Sequence, residues 1–394
     1  MVEPPPIVQG FRASGVRCGI KRRGPDLALV ASEVPAAVAG VFTRSSVVGA
    51  PVVISRERVR GGRARAVVVN SGISNVANGA LGLANAREMT SLAARAIGAR
   101  ASEIQVSSTG VIGRPLPMDK LRVGIPRAAA QLSPRGLERA ARAILTTDNH
   151  PKLVHVRGRG YSLAGLAKGA GMIMPNMATM LAYIVTDLAV EPGFLRAALR
   201  DAVEPTFNSL TIDGQTSTSD TVLVLANGAA GNRPVSAGSA RGKEFAKALL
   251  ETSRELCYRL ARDGEGVTRL ATVAVAGARG DADADRVARS VANSALVKTA
   301  LFGADPNWGR IVQAIGAAGV RVRPAEVGVR IGGVQMLRGG EPAGGAAGLR
   351  RAERAMKKRE VAIEISLGRG PGRARMLTTD FSYEYVRVNA DYTT

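Results

Sequence analysis

Histidine is almost missing from this chain. Only His150 and His155 occur in 394 residues, flanking Lys152 in no spacing that a Ser-His-Asp or Cys-His site uses. They read as structural or surface residues. Cysteine is as scarce: Cys18 and Cys257 stand far apart and outside any CxxC pattern, which predicts two free thiols in a reducing compartment. The same shortage removes the usual metal ligands, and Asp281, Asp283 and Asp285 lack the glycine and terminal glutamate of a calcium loop. No GxGxxG follows a predicted strand and no GxxxxGK[ST] occurs, so no resident nucleotide, cofactor or metal is expected. Aromatic residues make up 4% of the chain, so the cores must be built from Ala, Val, Leu and Ile. No apolar run approaches the ~20 residues that span a bilayer. The first residues, Met1-Val2-Glu3-Pro4-Pro5-Pro6, carry neither the basic nor the apolar region of a secretory leader. The expectation is a cytoplasmic protein with no membrane partner.

Acidic residues are also in deficit, 32 against 54 basic ones, for a formal charge of +22. The excess is arginine spread from Arg12 to Arg387, with only nine lysines. No basic cluster is interleaved with stacking aromatics, and no zinc-ligand or helix-turn-helix pattern appears, so nucleic acid is not the expected partner. The run Arg350, Arg351, Arg354, Lys357, Lys358 and Arg359 reads as the solvated face of a short helix. Such a charge also draws anionic small molecules. What the chain has in abundance is glycine, 46 residues, which fits an α/β protein with tight connections. The length predicts two or more domains.

Along the chain, Leu27–Ala31, Ala37–Phe42 and Val52–Ser55 read as strands between turns. Ala66–Asn70 is a buried strand, followed by the polar turn 71–75 and a helix over Asn85–Ile97, an order that often forms a cleft at the strand's carboxyl end. Ile104–Ser108 repeats the pattern, and the glycines of Thr109-Gly110-Val111-Ile112-Gly113 let backbone N–H groups face a ligand. A helix is expected around Ala128–Ile144, closed by Thr146-Thr147-Asp148. Further on come a helix over Gly193–Val203, a polar loop over Asp213–Asp220 readable as successive Asx- and ST-turns, and a strand at Thr221–Ala226. An amphipathic helix over Lys243–Arg262 ends at a tight loop that leaves Glu265 between Gly264 and Gly266. Strand Leu270–Val275 and helix Ala284–Ser294 precede a glycine-rich, low-complexity linker, Gly332–Gly348, expected as a mobile hairpin or insertion. The last strand is expected at Asp380–Val388, with Phe381, Tyr383 and Tyr385 on one face. The tail 389–394 reads as docked.

The stretch Lys168–Asp187 holds the chemistry. A glycine turn with one lysine leads through Pro175-Asn176 into an apolar strand in which Met177, Thr179, Leu181, Tyr183 and Val185 share a face. Thr179 is an ordinary place for a β-branched residue. With histidine, cysteine and metal chemistry unsupported, however, what remains for covalent catalysis is a hydroxyl that finds its base without histidine, and one solution is a threonine at a free N-terminus, whose own α-amino group, of pKa about 8, acts as the base. That requires a cut before the threonine, best placed at Ala178-Thr179.

The stretch Lys168–Asp187 resembles the processing segment of the ornithine acetyltransferase family, also called glutamate N-acetyltransferases. Matching segments run through almost the whole chain: Gly10–Pro51, Ser108–Gly113, Asp213–Asp220, Asp263–Gly266, Asp305-Pro306-Asn307-Trp308-Gly309-Arg310 and Asn389–Thr394. The resemblance implies an αββα sandwich, similar to but topologically separate from the N-terminal-nucleophile hydrolases, with a smaller α+β domain in the C-terminal half. It implies self-cleavage into an α chain, 1–178, and a β chain, 179–394. Residues 179–265 would complete the catalytic core, about 266–376 the smaller domain, and 377–394 a tail closing the active site. Thr179 is then the nucleophile that accepts acetyl from N2-acetyl-L-ornithine and passes it to L-glutamate in arginine biosynthesis. Thr109 and Gly110 match the oxyanion-hole pair. The Thr146-Thr147 pair (Thr147 preferred), Lys168, Thr179, Glu265, Asn389 and Thr394 match substrate-binding positions.

The resemblance further implies small amino-acid substrates, an α₂β₂ assembly and, as a second candidate donor, acetyl-CoA. An autoprocessed amidase or aminopeptidase with water as acceptor is the alternative. One segment departs from the family pattern: Ile73 stands in place of an amide and Asn78 in place of a threonine, in a turn that borders the site.

Overall fold

A computed structural model describes residues 6–174 and 180–391. The chain divides into two compact units. One runs to Asn208 and includes Thr216–Leu260; the other holds Ser209–Gln215 and the residues from Ala261 onward.

The first unit is built on an eight-stranded mixed sheet. Its order is Ile104–Val111, Arg63–Ile73, Leu27–Phe42, Thr221–Ala226, Leu181–Thr186, Tyr161–Lys168 and Lys152–Gly158, with Phe11–Val16 paired to Leu27–Phe42. The two strands expected at 27–31 and 37–42 are halves of one 16-residue strand. Its first half pairs with Phe11–Val16 and Arg63–Ile73, its second half with Thr221–Ala226, and the register shifts between Ala31 and Ala36. Alternate residues serve different cores. Leu27 and Leu29 face Met89, Leu121 and Ile125 of two helices, whereas Ala28 and Val30 face Leu137, Ala140 and Ile144. Both faces are covered, which is why these strands read as continuous apolar runs. Leu181, Tyr183 and Val185 share a face in the second of these cores, as their spacing predicts.

The second unit carries a seven-stranded sheet in the order Glu341–Pro342, Val334–Arg338, Gly328–Ile331, Glu360–Ser366, Leu270–Gly277, Gly370–Thr379, Leu210–Thr211. Helices Asp281–Asn293, Trp308–Gly316 and Gly345–Met356 cover one face, where Val291, Ile315 and Met356 meet Val273, Ile363 and Met376. The α/β class expected from the sequence holds, and among the described residues no helix is long and apolar enough to cross a membrane.

Four expectations fail locally. Val52–Ser55 lies in a helix, Ala50–Val59, whose start is marked by Pro51 in the first turn. The single helix around 128–144 is two, Met118–Ala130 and Leu137–Ala143, because Ser133 leaves the helix to exchange backbone hydrogen bonds with Ala13. The glycine-rich 332–348 segment is an ordered meander. Gly332 and Gly333 form one turn and Gly339 and Gly340 the next, all at positive φ, as two-residue hairpin turns require. The last strand is a helix, Tyr383–Asp391. Ser382 caps it by accepting from the Tyr385 N–H at 3.2 Å, and Phe381 stacks on Tyr385 at 4.7 Å. The first half of the basic run, Arg350, Arg351 and Arg354, lies exposed along a helix, Gly345–Met356, that buries Ala352 and Met356, whereas Lys357, Lys358 and Arg359 follow its end.

Both cysteines are free. Burial, with the Asp26 carboxylate beside it, pushes the Cys18 thiol up to about 12, and burial raises Cys257 as well. Neither supplies a thiolate at neutral pH.

Candidate active site

Two parallel strands, Arg63–Ile73 and Ile104–Val111, end side by side, with Ser71 opposite Thr109 and Gly72 opposite Gly110. The approach is tight enough to demand glycine. Gly110 has φ +126°, and a Cβ there would lie 2.3 Å from the Gly72 carbonyl carbon. This places the Thr109-Gly110 backbone at the carboxyl edge of the sheet. Ile73, the departure from the family pattern, pairs with both Thr109 and Val111 where the register of the two strands shifts.

Behind this edge lies a loop shaped by one carboxylate. Asp26 is fully buried and accepts the N–H groups of Cys18, Gly19, Ile20 and Lys21 at 2.6, 2.9, 2.7 and 3.0 Å. The clamp directs Lys21, whose Nζ donates to the Leu145 carbonyl at 2.9 Å. Burial lowers the Lys21 ammonium pKa, and Lys168 adds to that, against the pull of Asp26 and Asp148.

Lys168 ends the strand Tyr161–Lys168. Its Nζ donates to Thr146 Oγ1 at 2.8 Å and to Thr109 Oγ1 at 3.4 Å, so the lysine is tied to the threonine at the sheet edge. Asp148 organises this corner with a fully buried side chain. Its Oδ1 accepts from Lys152 Nζ at 2.5 Å and the Gly169 N–H at 2.6 Å. Its Oδ2 accepts from the Thr146 N–H at 3.1 Å and lies 3.8 Å from Lys168 Nζ. Burial alone would push this carboxyl up; the Lys168 and Lys152 ammonium groups and the Gly169 N–H hold it down at about 2. Lys21, Lys152 and Lys168 thus gather near Asp148 at this edge, with Asp26 the nearer anion for Lys21.

Thr146 is the member of the threonine pair that meets Lys168. The Thr147 side chain is only partly buried. The 216–220 loop is held by ST-turns, the Ser219 N–H reaching Ser217 Oγ at 3.1 Å, and by Ser219 Oγ at 3.2 Å from Ser74 Oγ.

In the second unit, Glu265 and Asn389 meet directly: Asn389 Nδ2 donates to Glu265 Oε2 at 2.9 Å and to the Tyr385 carbonyl at 3.0 Å. The helix Tyr383–Asp391 delivers the asparagine, and Ser382 Oγ donates to the Gly266 carbonyl, fixing the helix start against the Glu265 loop. Gly266, at φ +65°, permits this approach, since a Cβ would stand 2.3 Å from the Tyr385 nitrogen.

Thr109, Gly110, Thr146 and Lys168 are therefore brought together, and so, separately, are Glu265 and Asn389. Ala178, Thr179 and Thr394 lie outside the described residues. Sequence reasoning missed Lys21, Lys152 and the role of Asp148. A buried aspartate set between two threonines and a lysine four residues on was the available signal.

The sequence profile of the ArgJ family matches residues 12–394. A Geobacter sulfurreducens protein named arginine biosynthesis bifunctional protein ArgJ is 50% identical over 392 residues, spanning 98% of this chain and 100% of that one. A Symbiobacterium thermophilum protein of the same name is 47% identical over 392 residues, 98% of this chain and 97% of that one. Among solved structures, the arginine biosynthesis bifunctional protein argJ of Bacillus halodurans is 39% identical with a TM-score of 0.50, covering 52% of this chain and 96% of that chain. The chain belongs to the ArgJ family.

Proposed function

We propose that this chain transfers acetyl from N2-acetyl-L-ornithine to L-glutamate, releasing L-ornithine and N-acetyl-L-glutamate for arginine biosynthesis. The relatives' names support the pathway. The observation that carries the site is the lysine corner: Lys21, Lys152 and Lys168 gathered near Asp148, with Asp26 beside Lys21 and Lys168 Nζ reaching Thr109 at the proposed oxyanion edge. Lys168 Nζ, beside the Thr109 and Thr146 hydroxyls, is placed to meet a substrate α-carboxylate.

The chain first cuts itself between Ala178 and Thr179. The solved argJ chain, 96% of which matches only 52% of this one, is about the length that such a mid-chain cut leaves. Thr179 then attacks the acetyl carbonyl while its own α-amino group takes the hydroxyl proton. The Thr109-Gly110 donors face the developing oxyanion, an effect worth roughly 3–4 kcal/mol for one donor in comparable sites. Ornithine leaves, and the amine of glutamate attacks the acetyl-threonine. Lys168 binds the α-carboxylate of either substrate; Thr147, Glu265, Asn389 and Thr394 are assigned to substrate binding by the family resemblance. The α and β chains assemble as α₂β₂, which native mass reads directly.

The test is glutamate acetylation with acetylornithine and with acetyl-CoA as donor in turn, on wild type and Thr179→Ala. Acetylornithine-driven product in the wild type and none in the variant, with two bands on a denaturing gel and a new terminus reading Thr-Met-Leu-Ala, is expected. An uncut chain, or transfer that survives the substitution, overturns the reading. Product from acetyl-CoA adds it as a second donor. Free acetate released equally with and without glutamate would make water the acceptor.

A further inference from the structure

The helices of the second unit cover one face of its sheet, and the other face is built differently. On the central strand Leu270–Gly277, Val273 and Val275 pack into the core under the helices, so Ala274 and Ala276 alternate onto the opposite face. Strand register carries that face sideways. Ala274 stands between Arg375 and Glu364, with Arg330 beyond Glu364. One step along, Ala276 stands between Arg373 and Ser366, with Gly328 beyond Ser366. Small side chains thus floor a trough of about 820 Å³, with Arg373 and Arg375 as one wall and Arg330 and Arg338 as the other. Strands about 4.8 Å apart put the two flanking strands, three spacings distant, about 14 Å from each other. The volume lies within the roughly 300–1,000 Å³ of small-molecule sites. A sheet face made for water alone carries polar residues along its middle strand, where this one carries alanines.

The walls are cationic and short of anions. All four arginines are exposed, and none pairs with a carboxylate among the described residues. Arg375 Nη2 makes only a long contact with Thr272 Oγ1, at 3.5 Å. Arg330 Nε donates to Gln335 Oε1 at 2.8 Å, and Gln335 is fixed in turn by donating to the Leu337 and Val329 carbonyls at 2.5 and 3.3 Å. This aims the Arg330 fork and leaves its outer N–H groups for a ligand. Two carboxylates line the trough. Glu326 belongs to Arg323, at 3.1 Å. Glu364 stands in the floor between the walls, as an acceptor.

We propose that this trough binds a nucleoside polyphosphate, its phosphates held by the arginine forks and its base laid on Ala274 and Ala276. Guanidinium groups meet phosphate oxygens two at a time and stack on flat rings, which a wall of lysines would not do. Glu364 repels phosphate but accepts from the exocyclic amine of a base such as adenine. The floor separates this ligand from inorganic polyphosphate, which would leave the alanines uncovered and gain nothing from Glu364. No aromatic side chain lines the trough. A single strand of nucleic acid, which stacks its bases on aromatic rings, therefore fits it less well. The binding goes beyond the acetyl transfer proposed above, does not depend on it, and involves no covalent step.

Isothermal titration of the full-length protein with ATP and with inorganic tripolyphosphate, both in EDTA, tests this. Wild type should bind ATP saturably and more tightly than tripolyphosphate. Arg373→Gln combined with Arg375→Gln should weaken ATP at least about 10-fold, the scale of one charged hydrogen bond. Arg350→Gln combined with Arg351→Gln removes the same charge from an exposed helix and should leave ATP binding unchanged. Glu364→Ala removes a negative charge, so tripolyphosphate should tighten, while the ratio of ATP to tripolyphosphate affinity falls at least about 10-fold. Every substituted side chain is exposed, and thermal melts matching the wild type establish that each variant is folded. A wild type that binds no ATP overturns the proposal, including where native mass and cross-linking show a second copy seated on this face. Equal losses from the two arginine pairs overturn it as well, as does tripolyphosphate binding as tight as that of ATP. None of these outcomes bears on acetyl transfer, which is assayed separately.

Discussion

Lys168 in the first unit and Lys298 in the second are both buried lysines, 8% and 1% exposed, held in opposite ways. Lys168 shares a carboxylate with Lys152 and touches two threonine hydroxyls. Lys298 Nζ donates to the Thr379 carbonyl at 2.6 Å and Thr378 Oγ1 at 2.9 Å, and lies 4.7 Å from the centre of the Phe381 ring. The Thr378 hydroxyl donates onward to Ala292 and the Thr379 hydroxyl to Ile212, so both offer only acceptors to the lysine. Burial nevertheless lowers Lys298 to about 7, with Asp213 and Asp380 pulling the other way. Around Asp148 two ammonium groups outweigh burial and hold the carboxyl at about 2. Neutral oxygens and a ring face do not replace a counter-charge, and only the first arrangement sets ammonium groups directly against a carboxylate.

The sharpest break in this comparison is Asp148→Asn. It leaves Lys152 and Lys168 without their shared anion, and removing one partner of a buried pair costs about 3–5 kcal/mol. Thermal melts should show the first unit destabilised by that amount, and acetyl transfer should vanish with it. Lys168→Met spares the Asp148–Lys152 pair, so folding should hold while KM for both amino acids rises roughly 10- to 100-fold, the value of a charged hydrogen bond. Steady-state kinetics separates the two outcomes.

Acid titration comes next. Because the Asp148 carboxyl is depressed from 3.8 to about 2 in the fold, its contribution is present above pH ~4 and lost as pH falls through about 2. That step is worth about 2 kcal/mol, and it should be absent from the melts of Asp148→Asn. The smallest effect belongs to Lys298→Met. Removing the buried amine offsets the lost acceptor bonds, so stability at neutral pH should change by no more than about 1 kcal/mol. The signature is a slope. The unfolded lysine binds a proton up to about 10.5 and the folded one only up to about 7, so wild-type stability rises with pH through that window. Lys298→Met should flatten the rise; a variant with the wild-type slope would assign it to another group.

Period-2 patterning located Leu181–Thr186 and Thr221–Ala226 because both are buried on two faces and apolar throughout. It misread Phe381 to Tyr385, a spacing of four that a strand and a helix share, where Ser382 as a cap was the deciding residue. Pro51 was a similar start signal, overlooked because Val52-Val53-Ile54 has high β-propensity. At the site, Thr109, Gly110 and Lys168 were legible from motifs. Asp148 was not, because its role arises when the hairpin of Lys152–Gly158 and Tyr161–Lys168 folds back and pairs Lys152 with Ala167. No linear spacing announces that Lys152 and Lys168 will converge on one aspartate.

The sheet order of the first unit has a consequence for a chain opened between residues 178 and 179. Thr221–Ala226 and Leu181–Thr186, from beyond the opening, occupy the middle of the sheet, with Leu27–Phe42 on one flank and Tyr161–Lys168 on the other. The later fragment is threaded into the earlier one as the inner staves of a single panel. Diluting the opened protein would leave its halves together, since parting them means tearing two rows of backbone hydrogen bonds at once. Two genes encoding the halves would have to meet during folding, before either sheet remnant closed on itself.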